Sequence, residues 1–180
     1  HLKNISGWKG FFAYCINADP MELIANIKKI YYHTCTPNVI GGCHINFWSG
    51  LGAYTSARGF DIATHYQRSG IRILTDPSNK YSLAWPVLVK LGCMAGVDSM
   101  HVGMLGGYYP EGESEEETLE AIKICQKYDV IPSLSCGMNP VLAREIKERI
   151  GNNWMASVGG WLHTGDSLIK KVKEMSESLN

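Results

Sequence analysis

The chain has 180 residues, 45% of them hydrophobic, with 17 basic and 17 acidic side chains and a formal net charge of zero. That length suits one globular core, or part of one, and is short for two ordinary domains. Charges of both signs are interspersed and leave no one-sided field, which argues against nucleic acid or an anionic membrane as partner and leaves a small molecule or another protein. The six cysteines (Cys15, Cys35, Cys43, Cys93, Cys125 and Cys136) form no Cys-x-x-Cys pair and sit mostly inside apolar runs. Free thiols packed as small hydrophobes, in a reducing compartment such as the cytoplasm, are the expectation. No run approaches the about 18 apolar residues of a membrane span. The opening His1-Leu2-Lys3-Asn4 has neither the apolar core of a signal peptide nor an initiator Met, so a cut N-terminus is expected.

In chain order, a first apolar run at 10–17 reads as a strand. Asp19-Pro20 then sets a cap and an N1 proline before Leu23, Ile24, Ile27 and Ile30, whose spacing makes one apolar helical face. Strands are expected again at 38–48, 60–66 and 97–102. Ser114 with Glu117 forms a capping box before Leu119, Ile122 and Cys125, and the acidic run 111–120 lies largely in that helix's first turn, where carboxylates oppose the dipole favourably. A strand at 130–135 precedes Asn139-Pro140, which opens a helix with Leu142, Ile146 and Ile150 on one face and Gly151 at its end. A last strand is expected at 154–158. No low-complexity segment or long linker interrupts the chain.

Strands that read as buried, non-alternating runs and that alternate with helices predict a parallel α/β fold. Periodicity does not separate a (β/α) barrel from a doubly wound sheet, but the absence of Gly-x-Gly-x-x-Gly and Walker patterns favours the barrel. In a barrel, function gathers at the C-terminal ends of the strands. There the sequence offers His44 and Asn46, Gln67 and Arg68, His101 with Gly103, Ser135 with Gly137, and Gly159-Gly160. Gly137, Gly159 and Gly160 could bring backbone N–H groups close to an anion, or could simply make tight turns. Arg68 and His101 could hold a second anionic group, or serve as paired rim residues. His44 reads equally as a core residue. Cys136, directly after a strand, is read as a packed small residue over a reactive thiol. His44, His65 and His101 lie on different strands without zinc-like spacing, so any metal ligands are expected elsewhere.

Several segments, in order, resemble the C-terminal part of the catalytic barrel of RuBisCO large subunits. Residues 97–113 (VDSMHVGMLGGYYPEGE) resemble strand six and loop six, with their His-x-Gly run leading to Glu-Gly. His65-Tyr66-Gln67-Arg68-Ser69-Gly70 resembles the strand-five His-Tyr-His-Arg-Ala-Gly motif, and Ser133 to Pro140 resembles the strand-seven Ser-Gly-Gly loop. Ala156-Ser157-Val158-Gly159-Gly160 resembles the strand-eight Phe-Gly-Gly turn, and Lys9-Gly10-Phe11-Phe12 the start of strand three. The resemblance covers about residues 9–165 and makes residues 1–180 the last six βα units, strands three to eight, of a (β/α)8 TIM barrel.

The resemblance implies that Gly137, Gly159 and Gly160 bind one substrate phosphate, Arg68 and His101 the other, and Ser135 and Gln67 further parts of a phosphorylated sugar-type substrate. It also implies Mg2+, held by a carbamylated lysine, an Asp and a Glu that would precede residue 1, together with an N-terminal domain, the first two barrel strands and a homodimer or higher oligomer. Tyr108 stands where the family has the loop-six lysine, and Gln67 replaces the second histidine of strand five. A phenol and an amide supply neither a mobile positive charge nor an imidazole base. These departures point to the RuBisCO-like proteins, which enolise, isomerise or decarboxylate phosphorylated ketose-type substrates. A divergent carboxylase and a non-catalytic sugar-phosphate-binding or assembly module are the alternatives. Six βα units do not close an eight-stranded barrel, so this chain alone is expected to be inactive.

Overall fold

The structure is a computed structural model and describes residues 12–16, 20–34, 40–46, 49–57, 63–67, 75–76, 78–106, 114–165 and 167–180. Strands and helices alternate: β1 (Phe12–Ile16), α1 (Pro20–Thr34), β2 (Ile40–Asn46), α2 (Leu51–Ala57), β3 (Ala63–Gln67), α3 (Trp85–Ala95), β4 (Ser99–Gly103), α4 (Glu115–Lys127), β5 (Ile131–Leu134), α5 (Pro140–Ile150), β6 (Met155–Ala156) and α6 (Leu168–Leu179). The six strands follow chain order across one sheet, β1-β2-β3-β4-β5-β6, as successive crossovers through helices produce. All six expected strands are present. The expected α/β fold, an incomplete run of barrel units, is the one observed.

The chain divides into two compact units, residues 1–83 with 91–100 and residues 84–90 with 101–180. In the first unit β1, β2 and β3 pair in parallel, with Cys15 opposite His44 and His44 opposite His65. β3 continues onto the start of β4 through His65 opposite Ser99. Cys43, Ile45 and Thr64 are buried while His44, Asn46 and His65 are half-buried. β2 from Cys43 onward and the start of β3 thus alternate, which corrects the expectation of non-alternating runs there, whereas on β5 Pro132, Ser133 and Leu134 are all buried, as expected. The Leu23 and Ile27 side chains of α1 are fully buried, as the spacing after Pro20 requires. The Tyr54 hydroxyl of α2 donates to the Ile45 carbonyl at 2.6 Å. The Asp98 carboxylate accepts from the Thr64 amide at 2.6 Å and from its hydroxyl at 3.1 Å, while the Asp98 amide donates to the Thr64 carbonyl at 3.0 Å. Three bonds between one residue pair hold the entry to β4 beside β3.

In the second unit α4 starts on the expected capping box: the Glu117 amide donates to Ser114 Oγ and the Ser114 amide to Glu117 Oε2, both at 3.1 Å. α5 starts on Asn139, whose Oδ1 accepts from the Val141 and Leu142 amides at 3.0 and 3.1 Å, and closes where the Gly151 amide donates to the Lys147 carbonyl at 2.9 Å. Ala121, Ile122, Cys125, Leu134, Ala143 and Ile146 form its core. Trp85, 1% exposed, donates its indole N–H to the Val102 carbonyl at 2.8 Å. A buried indole with its polar atom satisfied combines a large apolar area with a directional anchor.

Three further helices are present, of which α6 does carry a signal, Leu168, Val172, Met175 and Leu179 at helical spacing, but no cap. α3 is apolar nearly all round: Trp85, Leu88, Val89 and Cys93 are buried while Val87, Leu91 and Met94 are exposed, so its period is not visible as a contrast. α2 is only seven residues long. α6 starts on Ser167 without a side-chain cap and without an acidic first turn.

Gly42 shows how tightly β2 and β3 approach. A Cβ there would stand 2.5 Å from the Ala63 carbonyl oxygen, a backbone atom with little room to give. Gly42→Ala is expected to cost about 1–3 kcal/mol, read as a lower urea midpoint with an unchanged m-value.

Candidate functional site

Two loops of the second unit meet at the ends of β5 and β6. The Ser135 amide donates to the Gly103 carbonyl at 3.2 Å, and the Ser157 amide to the Leu134 carbonyl at 2.8 Å, so each loop begins tied to the preceding strand. The hydroxyls continue the pattern: Ser133 and Ser157 share a hydrogen bond at 2.7 Å, and His101 Nε2 and Ser135 Oγ share one at 2.5 Å. Ser135 Oγ also lies 3.4 Å from Cys136 Sγ.

After Ser135 the chain turns through two left-handed residues, Cys136 at φ +65° and Gly137 at φ +78°. Glycine adopts that conformation freely; a cysteine does so at a cost of roughly 1–2 kcal/mol. Asn139 closes the turn by donating from Nδ2 to the Gly137 carbonyl at 3.0 Å, while its other side-chain atom caps α5. The second loop runs from Ser157 through Gly159 into a 3-10 turn, Gly160–His163, where the Leu162 amide donates to the Gly159 carbonyl at 3.0 Å.

Between these loops lies a cavity of about 560 Å³ lined by Ser135, Cys136, Gly137 and Met138 on one side and by Ser157 to Trp161 on the other. None of these lining residues is charged. The polar groups they offer are the Ser135 and Ser157 hydroxyls and main-chain groups, an uncharged set that a hydroxylated or anionic ligand could meet. Gly159 has φ −127°, and a Cβ at either Gly159 or Gly160 would meet nothing within 4 Å. Crowding by the protein therefore accounts for neither glycine, although Gly159, with ψ −83° at that φ, lies outside the regions that other residues readily adopt. Their open side faces space that a ligand can use.

The structure therefore brings together Ser135, Gly137, Gly159 and Gly160 around the cavity and joins His101 to them through Ser135. Arg68, Tyr108 and the rest of 107–113 lie outside the described residues. Gln67 ends β3 opposite Asn46, and its side chain is not among those described. In the first unit the His44 and His65 rings are 4.8 Å apart, and His65 Nδ1 bonds Ser99 Oγ at 2.7 Å. Among the described residues no group of three or more His, Cys, Asp or Glu is placed to hold a metal ion. Among the same residues no helix is long and apolar enough to cross a membrane. Sequence reasoning alone misses Ser157 and Trp161. Ser157 has a signal in retrospect, a hydroxyl inside a short apolar strand; Trp161 has none apart from its place after the glycines.

No family model and no curated protein matches the sequence. Solved structures do match. A RuBisCO-like protein from Burkholderia fungorum superposes with a TM-score of 0.79 at 19% identity, covering 97% of this chain and 44% of that one. The chain has the fold of a RuBisCO-type barrel. The RuBisCO-like protein MtnW from Alicyclobacillus acidocaldarius gives a TM-score of 0.80 at 16% identity, with coverage of 97% and 44%. The dimeric archaeal RuBisCO from Hyperthermus butylicus gives 0.76 at 22%, with coverage of 94% and 43%. The chain thus spans less than half the length of these RuBisCO-type structures.

The thiols differ in a way that labelling can read. Cys43, Cys93 and Cys125 are buried and Cys136 is exposed. Burial pushes the Cys43 thiol up to about 11, so at pH 8 only about one molecule in a thousand carries its thiolate. Native-state alkylation at pH 8 followed by peptide mapping is expected to modify Cys136 and to spare Cys43, Cys93 and Cys125 until denaturant is added.

Proposed function

We propose that this chain carries a phosphate-binding subsite of a RuBisCO-like enzyme that takes a phosphorylated ketose-type substrate. The observation that carries the reading is Gly160, a glycine that protein packing does not require, standing beside Gly159 in the wall of an uncharged cavity that also holds Ser135 and Ser157. A cavity of about 560 Å³ is within the usual size range of small-molecule sites. Without a cationic lining, a phosphate there would be held by main-chain N–H groups and by the Ser135 and Ser157 hydroxyls, as backbone anion sites are. His101, joined to Ser135 at 2.5 Å, fixes where that hydroxyl points and can exchange a proton with it.

The reaction class proposed for the whole protein is abstraction of a proton alpha to a carbonyl, giving an enediolate, with isomerisation or decarboxylation as its onward course. It is supported by the likeness in fold to RuBisCO-like proteins and by Tyr108 at the position of the loop-six lysine. Residues other than the described ones would supply Mg2+ ligands and a base. The dimeric RuBisCO among the structural neighbours supports a homo-oligomer.

Two measurements test this. Gly160→Ala is expected to leave stability within about 0.5 kcal/mol, because its methyl meets no protein atom, while weakening inorganic phosphate binding about tenfold or more by isothermal titration. Equal affinity in the two proteins would remove the subsite. For the reaction, the full-length protein with Mg2+ and a ketose bisphosphate in D2O is expected to exchange the proton alpha to the carbonyl, seen as loss of its NMR signal. Phosphate binding without exchange would leave a binding module in place of an enolising enzyme.

A further inference from the structure

Lys171 is a charged side chain in an unfavourable place. It lies near the start of α6, where the helix dipole disfavours a cation, and is only 8% exposed. A buried ammonium persists only where acceptors replace its water. Among the described residues the acceptors of Lys171 Nζ come from one segment: the Trp161 carbonyl at 2.5 Å, the Thr164 carbonyl, and Thr164 Oγ1 at 3.0 Å. Nζ also stands 4.8 Å from the centroid of the Trp161 ring, a cation–π contact. The Thr164 hydroxyl in turn donates to the Trp161 carbonyl at 3.0 Å. A single ammonium therefore gathers both ends of the turn that follows Gly159 and Gly160, and its aromatic neighbour Trp161 is part of the cavity wall.

α6 is itself anchored, so the ammonium is fixed relative to the rest of the unit. Lys147 Nζ on α5 donates to the Leu179 carbonyl at 2.8 Å, and Met175 and Ser178 are buried. The glycines have no side chains with which to hold their own conformation, and flexible backbone loses more entropy when a ligand orders it. A turn held in advance avoids that loss.

We infer that Lys171 is a positioning residue for the glycine subsite: by binding the Trp161 and Thr164 acceptors it preorganises the 159–164 turn to receive an anion. This rests on the phosphate reading of the cavity and adds how that site is kept in shape. The ammonium does not line the cavity; it acts through the turn.

The test compares Lys171→Met and Lys171→Arg with the exposed control Lys173→Met in the full-length protein, reading amide hydrogen exchange and inorganic phosphate affinity. Lys171→Met is expected to speed exchange across 160–164 about tenfold or more, leaving 121–125 of α4 protected, and to weaken phosphate binding about tenfold. Lys171→Arg restores part of both, and Lys173→Met changes neither. Unchanged exchange across 160–164 in Lys171→Met overturns the inference, as does loss of protection throughout the unit, which would make Lys171 a general stability residue. If the unmutated protein binds no phosphate while Lys171→Met still loosens only the turn, the positioning role stands and the phosphate reading falls.

Discussion

Each strand of a parallel sheet shows alternate side chains to opposite faces, and helices from the crossovers must cover whichever face is apolar. On β4 the consequence is visible residue by residue: Met100 and Val102 are fully buried, while Ser99 and His101 stay half-buried. The same division runs through β2, with Cys43 and Ile45 against His44 and Asn46. Apolar packing on one face leaves the other free to carry hydroxyls and imidazoles, and these bond across neighbouring strands, His65 to Ser99 and Ser133 to Ser157. The site is thus an extension of the sheet's polar face beyond the last paired residues, with no separate scaffold of its own.

That origin explains the character of the cavity. Its polar groups are short: serines, a cysteine and main-chain amides. Short groups on strand ends have few rotamers to lose, so precision comes from the backbone, and the backbone is held by specific bonds: Asn139 closing one loop and Lys171 gathering the other. Cys136 is the exception, a non-glycine side chain held at φ +65°. The strain lies at the turn that presents Gly137, and the Asn139 bond to the Gly137 carbonyl is what opposes it.

Much of this is legible in the order of residues alone. The N1 proline Pro20 and the caps Ser114 and Asn139 are local chemistry, and all three helices begin where those residues stand. Every strand is visible as a short, largely apolar run between turn formers and helix signals. α3 is not visible, because a helix apolar on both faces presents no period. The order of the site residues is readable through their resemblance to a family pattern; their meeting is not. Ser135 and Ser157 are 22 positions apart in the chain, and only the β5–β6 register, Ser133 opposite Met155, sets their loops side by side.

By itself the sequence determined the alternation of strand and helix, the caps, and the presence of glycines and serines at strand ends, because each depends on contacts within a few residues. It also carried the departures at Tyr108 and Gln67, which are matters of identity. Tertiary structure decided which face of each strand is polar, whether a glycine is demanded by the protein or left open, and where a lone lysine finds its acceptors. Gly42 is demanded, with the Ala63 carbonyl 2.5 Å from its missing Cβ, and Gly160 is not. The two are the same residue type in the sequence, and what separates them is the distance to atoms that the fold, and not the local chain, brings near.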